Sequence, residues 1–323
     1  GKAFIEEGLV DLQKSAYSLK RLNISDSKAE YNSGNEKQVS GFDPSHINIT
    51  DIAIRIDSIY YSGNRIQANI NKFLMKERSG LEIVSTKGKL LASDEHISIP
   101  KIEIKTLDSY ISMNANTDFN ISEINENKSI SARLVADIGK NDLIKFVPEL
   151  PEQFIKDFPS APIQIRAGID GSLNSLNFTT FSISIPDHIK ILSEGYVKNV
   201  LDSTRMEARL NMNAEFPDTK FLRSFLGTTV IPSDMTINGN AEIIKDSIKS
   251  EFALTQGEGK ANLKAGVTTN SESYFAKIDI NELNLHNFMP ADSLFDITAS
   301  LEAEGKGFDF FVPETKLNAK ASI

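Results

Sequence analysis

The sequence predicts a mainly β protein: an elongated stack of antiparallel strands with a few short helices. Three observations lead there. Aliphatic and polar residues alternate along nearly every segment, the period of a strand with one buried face. Short clusters of Gly, Asn, Asp and Ser separate these runs at close intervals. The apolar residues are mostly Ile, Leu, Val and Phe set among Asn, Ser and Thr, a balance that favours strands over helices.

Residues 1–41 form a leading region. Phe4 to Leu12 fits a short amphipathic helix or a strand, Leu19 to Tyr31 alternates as a strand, and Asn32-Ser33-Gly34-Asn35 opens a polar loop to Gly41. Residues 42–140 carry the clearest alternation. Ile47 and Ile49, then Ile52, Ile54 and Ile56, lie two apart, and Tyr61-Ser62-Gly63-Asn64 separates them from Ile66, Ala68 and Ile70 as a hairpin. Ser79-Gly80 and Ser93-Asp94-Glu95 mark further turns. The alternation slips by one residue between Ile49 and Ile52 and between Ile70 and Phe73, so each slip marks a bulge or a strand end. Pro100 interrupts the run Ile97, Ile99, Ile102, Ile104 and places that strand at an edge, a bulge or a break.

Residues 141–230 begin with a change of period. Leu143, Phe146, Val147, Leu150, Phe154, Ile155 and Phe158 follow helical spacing, which Pro148 and Pro151 break into two short pieces. Strands resume at Ile163, and Asp218 to Leu226 fits a second short helix before Pro232. Residues 231–323 repeat the pattern, with a weaker helical stretch from Leu283 to Met289 before Pro290. Aligning Pro162, Ser233 and Ser293 gives a degenerate repeat of about 60 to 70 residues, a short helix followed by several strands. That favours an elongated stack over a closed barrel.

The 323 residues contain no Cys and no Trp and carry a net charge of -9. Disulfides, thiolate zinc and cysteine nucleophiles are excluded together. The acidic balance argues against a nucleic-acid binder and gives no help in docking on an anionic membrane surface. His46, His96, His188 and His286 are isolated, without metal spacing, so no metal and no cofactor is expected. Asp170 to Asn174 starts like a calcium loop, but Ser175 and Phe181 stand where Gly and Glu are needed, and it reads as a hairpin turn. Gly257-Glu258-Gly259-Lys260 lacks phosphate-loop spacing. No GxSxG elbow occurs and nothing selects a carboxylate pair, so no catalytic residue is named and a non-enzymatic role is expected. No apolar run is long enough to span a bilayer. Gly1-Lys2 replaces an initiator Met and the last residues stop inside an alternating pattern, which points to a piece of a longer protein.

The segments FDPSHINITDIAIRIDSIYYSGNRIQANI, KERSGLEI and ISIPKIEIKTLDSYISMNA resemble the TamB-like (translocation and assembly module) proteins of the Bacteroidetes, within the AsmA-like group of envelope proteins. The resemblance continues through NDLIKFVPELPEQF and GIDGSLNSL and is strongest from about residue 42 to 175. It implies a long sheet curled into a groove, the β-taco, anchored in the inner membrane by a missing amino-terminal helix and reaching across the periplasm. The implied role is a conduit for phospholipid in outer-membrane biogenesis, or help with outer-membrane protein assembly and secretion through a barrel partner met by regions absent here.

The residues alone leave a choice. An apolar face needs a cover, so either a second sheet packs on it as a sandwich or the sheet curls around a trough that acyl chains fill. The expected lining is Ile52, Ile54, Ile56, Ile66, Ile70, Ile83, Ile102, Ile104, Met113, Ile165 and Ile183; as a sandwich, the same residues are plain core. Phe146, Phe154, Phe158, Phe221 and Phe225 either plug such a trough or make ordinary helix-on-sheet contacts. A β-rich adhesin or glycan-binding module is the reading from another class, and the lack of Trp speaks against its aromatic platforms. A scaffold that pairs client strands at its edge fits the same fold.

Overall fold

The computed structural model describes all residues except 12–15, 34–36, 63–64, 120–125, 148–149, 227–229, 310 and 313. The protein is mainly β, antiparallel, and not closed into a barrel, with strands making up 65% of the chain and helices 8%. So little helix leaves most of the sheet surface without a helical cover.

The chain divides into two units, residues 1–155 with 159–172, and residues 156–158 with 173–323. The first unit contains β1 (Lys2–Asp11), β2 (Ala16–Asn32), β3 (His46–Ser62), β4 (Arg65–Glu77), β5 (Glu82–Ala92), β6 (Ile97–Thr106), β7 (Tyr110–Thr117), β8 (Ser129–Ile138) and β9 (Ile163–Ser172). Each strand pairs antiparallel with the next. Helices α1 (Lys140–Phe146) and α2 (Glu152–Asp157) join β8 to β9. Phe4 to Leu12, ambiguous in sequence, is strand as far as Asp11. The expected two-piece helix is present, while Pro148 lies outside the described residues, as do Gly63 and Asn64 of the β3–β4 turn and Gly34 and Asn35 of the polar loop.

Both phase slips are bulges. Asp51 adopts a left-handed φ of 55° where the β3–β4 register shifts between Thr50 and Ala53. Asn71 is skipped between the pairs Arg55↔Lys72 and Ile56↔Ile70. A one-residue insertion in each place keeps the following apolar residues on their original face. Pro100 also sits at a bulge, between the pairs Ile99↔Ala115 and Ile102↔Met113, in a strand flanked on both sides.

The second unit contains β10 (Ser175–Ile185), β11 (Ile189–Lys198), β12 (Glu207–Phe216), β13 (Met235–Ile244), β14 (Ser247–Gln256), β15 (Gly259–Thr268), β16 (Ser273–Asn284), β17 (Asp296–Lys306) and β18 (Lys316–Ser322), again each paired antiparallel with the next. A 3-10 turn at Lys220–Leu222 running into α3 (Arg223–Leu226) joins β12 to β13, and a 3-10 turn at Leu285–Asn287 follows β16. The helical connections thus follow β8, β12 and β16, every fourth strand in chain order, and β9, β13 and β17 begin close to the expected repeat spacing. In each unit the helices lie at the end reached by even-numbered strands, because an antiparallel meander reverses at every turn.

Candidate functional site

In the first unit the registers assemble one apolar row across all nine strands. Ile5 faces Leu22, Leu22 faces Ile56, and Ile56 faces Ile70. The row continues through Gly88, Ile102, Met113, Leu134 and Ala167, each directly opposite the next. A neighbouring row on the same face runs Thr86, Ile104, Ile111, Ala136, Ile165. Directly opposed residues share a face, so side chains along each row touch their neighbours across the strands.

The structure brings Ile52, Ile54, Ile56, Ile66, Ile70, Ile83, Ile102, Ile104, Met113 and Ile165 onto this one face. Ile183 belongs to the second unit, where it heads a comparable row: Ile191, Ala214, Ile237, Leu254, Ala261, Ile280 and Ala299. None of the eleven is buried: most are half-buried, Met113 is 36% exposed and Ile66 41%. A closed sandwich core would bury such side chains almost completely. The opposite faces are polar. Arg21 bridges Glu6 at 2.7 Å and Asp57 at 2.8 Å in the first unit, and Lys264 pairs with Glu251 at 2.6 Å in the second.

Thr86 and Gly88 had no signature in the sequence. The β5–β6 register shifts between Ile83 and Ser85, which turns Thr86 toward the apolar side. Thr86 is 6% exposed and its Oγ1 has no hydrogen-bond partner. At Gly88 the Ile102 side chain fills the place of a Cβ, which would come within 2.6 Å of Ile102 Cγ1. Glycine here lets a large neighbour lie across the strand.

The helical end of the first unit is closed by three buried carboxylates, at the β2–β3, β4–β5 and β8–β9 connections. Asp43, before β3, accepts the Val39 N–H at 3.0 Å and the Ser45 N–H at 3.0 Å, and it contacts His46 Nδ1 at 3.0 Å. The Val39 amide foremost, with the help of His46 and Ser45, outweighs burial and holds this carboxyl below the usual aspartate range. Glu77 ends β4 with 2% exposure and accepts the Ser79 N–H at 2.6 Å. Burial pushes its carboxyl up, but hydrogen bonds from Ser79, Asn48 and Arg78 more than offset this, so it titrates below an ordinary glutamate. Asp142 of α1, 1% exposed, accepts the Thr106 and Ser109 hydroxyls, the latter at 2.7 Å, and so ties the helix to the β6–β7 turn. The Lys145 carbonyl accepts the Phe42 N–H at 2.8 Å, and the Phe42 and Phe146 rings meet at 5.6 Å.

The second unit closes its helical end with aromatic packing. Phe221, 3% exposed, meets Phe158 edge-on at 5.4 Å and His188 at 5.6 Å. The Thr219 hydroxyl donates to the Ile231 carbonyl beside it. Of the expected plug residues, Phe154, Phe158 and Phe221 are buried, whereas Phe146 is 47% and Phe225 60% exposed. Helices of seven and four residues have too few turns to bury both of their sides. His46 and His188, isolated in the sequence, gain partners only through the fold.

Comparison with protein families, curated proteins and solved structures gives no match. The chemistry of the faces therefore carries the functional reading. Among the described residues no group of three or more His, Asp or Glu side chains is placed to hold a metal, and no helix is long and apolar enough to cross a membrane. Concavities of about 340 and 330 Å³ lie over the polar side of β14 to β18, lined by residues such as Lys249, Phe275, Glu304 and Lys320.

Proposed function

We propose that the protein is a non-enzymatic carrier of phospholipid acyl chains, held in an apolar groove formed by the face of the first unit described above. The observation that supports this most is the unbroken row from Ile5 to Ala167, apolar at every position yet only partly buried. Acyl chains need contact area without hydrogen bonds, and each buried methylene contributes about 0.8 kcal/mol. Eight inter-strand steps of ~4.8 Å make the row about 38 Å long. One leaflet's share of a ~30 Å hydrocarbon core is shorter than that, so a single chain can lie lengthwise along the row. The buried acids at the helical end act, in this reading, as a fixed side wall running parallel to the row.

The sequence resemblance extends the proposal to the Gram-negative envelope. The protein then works in the periplasm as part of a longer chain anchored in the inner membrane, and conducts lipid toward the outer membrane. Assistance to outer-membrane protein assembly with a barrel partner is the alternative drawn from the same resemblance.

Native mass spectrometry with lipid extraction, on protein expressed in a Gram-negative host, tests the groove. Phospholipid is expected to co-purify with the wild type and to be lost from Ile56→Asp while circular dichroism shows a folded variant. A lipid-free wild type, or an Ile56→Asp protein that keeps its lipid, overturns the proposal. If Ile56→Asp unfolds, the milder Met113→Gln, at a position already 36% exposed, gives the same reading.

A further inference from the structure

The polar side of the second unit sets an exposed ring among its charges. Across β14 to β18, Lys249, Gly266, Phe275, Glu304 and Asn318 stand directly opposite one another in a single transverse row. The Phe275 ring lies across Gly266, where a Cβ would come within 2.5 Å of its Cε1, and the residue stays 42% exposed. Beside this row, Lys306 faces Lys316 across β17 and β18. Directly opposed residues have Cβ atoms roughly 5 Å apart, and like charges so placed repel. Other lysines on this side are answered by acids: Lys190 meets Glu215 at 3.8 Å, Lys264 meets Glu251 at 2.6 Å and Lys277 meets Glu302 at 2.5 Å. Lys306 and Lys316 form no ion pair among the described residues, and neither does Lys249, although Glu242 stands opposite it. With Glu304, these three lysines are the charged residues lining the concavity of about 340 Å³, so cations outnumber the carboxylate there in a chain of net charge -9.

We infer that this concavity binds an acidic glycan, with a uronate carboxylate between Lys306 and Lys316 and the C–H face of the adjoining sugar on Phe275. An anion between the two ammonium groups replaces their repulsion with two charge-assisted hydrogen bonds. The face of an aromatic ring carries negative charge density, which attracts the polarised C–H groups of a sugar. Glu304, directly opposite Phe275, only accepts, so it selects a ligand that brings hydroxyl donors to that place, and the neighbouring Asn318 amide both donates and accepts. The second concavity, about 330 Å³, shares Phe275, Glu304 and Asn318 with the first and adds the Lys277–Glu302 pair and Lys320. Together they make a trough with one basic and one charge-balanced subsite, which fits a chain of alternating acidic and neutral sugars. A nucleic acid carries a phosphate on every unit and would bring that charge against Glu302 and Glu304. This inference concerns the polar side of the second unit and holds or fails independently of the acyl-chain groove.

Isothermal titration calorimetry with a hyaluronan octasaccharide, which alternates a uronate with a neutral acetylated amino sugar, tests the site. Wild type is expected to bind it, and a variant with Lys306→Gln and Lys316→Gln together is expected to bind roughly tenfold more weakly or worse. Phe275→Ala is expected to weaken binding by about tenfold. Both lysines are exposed, so their variant is expected to fold, and to melt no lower than wild type because a like-charge pair is gone. It carries the test alone if Phe275→Ala unfolds. Wild type that does not bind hyaluronan overturns the inference, and so does full binding by the lysine variant. Equal binding of neutral dextran would overturn the acidic assignment. Tighter binding of a thymidine oligonucleotide would overturn the glycan and assign the trough to single-stranded nucleic acid.

Discussion

Three buried carboxylates tie together the helical end of the first unit, whereas the second unit closes its helical end on Phe221, Phe158 and a buried threonine. The strands differ as well. β2 and β3 run to 17 residues and their pairings shift at several bulges, while the pairings from β11 to β16 keep one register throughout. Long strands accumulate twist, and bulges let them bend without sending apolar residues to the wrong face. The ten-residue strands β11 to β15 stay in phase without such help. One alternation can thus be fixed at its ends by hydrogen-bonded charge or by packed rings, and the two solutions respond differently to acid and to truncation.

The largest expected effect separates the units by packing. Phe221→Ala should cost about 3–5 kcal/mol, the range for a buried phenylalanine, with amide exchange accelerated in residues 156–158 and 173–323 and little changed in 1–155 and 159–172. Equal acceleration in both regions would erase the distinction. Glu77→Ala should cost about 2 kcal/mol in the first unit, because the Ser79 and Asn48 amides lose their acceptor, and Glu77→Gln should recover part of it. Denaturant midpoints of the two variants check this.

Acid sharpens the same contrast. Asp43 and Glu77 titrate lower in the folded protein than when unfolded, so their stabilisation is complete above the unfolded values near pH 4 and is lost as pH falls through the folded ones. Amide protection around residues 39–48 and 77–81 should therefore decline below about pH 4, while the contacts of Phe221 keep theirs. In the second unit Asp202 is held at about 2 by Thr204, Arg205 and their hydrogen bonds, and its loss is expected to loosen only its own turn. Smaller still, Gly88→Ala should cost about 1–2 kcal/mol by pressing a methyl against Ile102. Thr86→Val should gain about 1 kcal/mol in thermal unfolding, since it removes a buried hydroxyl without a partner.

Much of the fold was legible because a period of two leaves few choices. The slips at Ile49–Ile52 and Ile70–Phe73 announced bulges at Asp51 and Asn71, and the shared face of ten expected lining residues followed from their spacing. The buried acids were not legible. Asp43, Glu77 and Asp142 look like any surface carboxylate until three connections distant in sequence meet at one end of the unit. Phe4 to Leu12 was ambiguous because its apolar residues fit both periods, and only pairing with β2 decides for a strand. The exposure of Phe146 and Phe225 depends on helix length, which helical spacing alone leaves open.

The helical connections after β12 and β16 are separated by four strands, and four is an even number. Any even count returns an antiparallel chain to the end from which it left, so adding or deleting one whole repeat would keep the helices on their side. An odd count would carry every later connection to the opposite side. Such a sheet can grow in increments of about 19 Å, four strand spacings, without re-aiming a single side chain. Length is therefore an inheritable variable of this architecture, adjustable by duplication while its two faces and two ends keep their character.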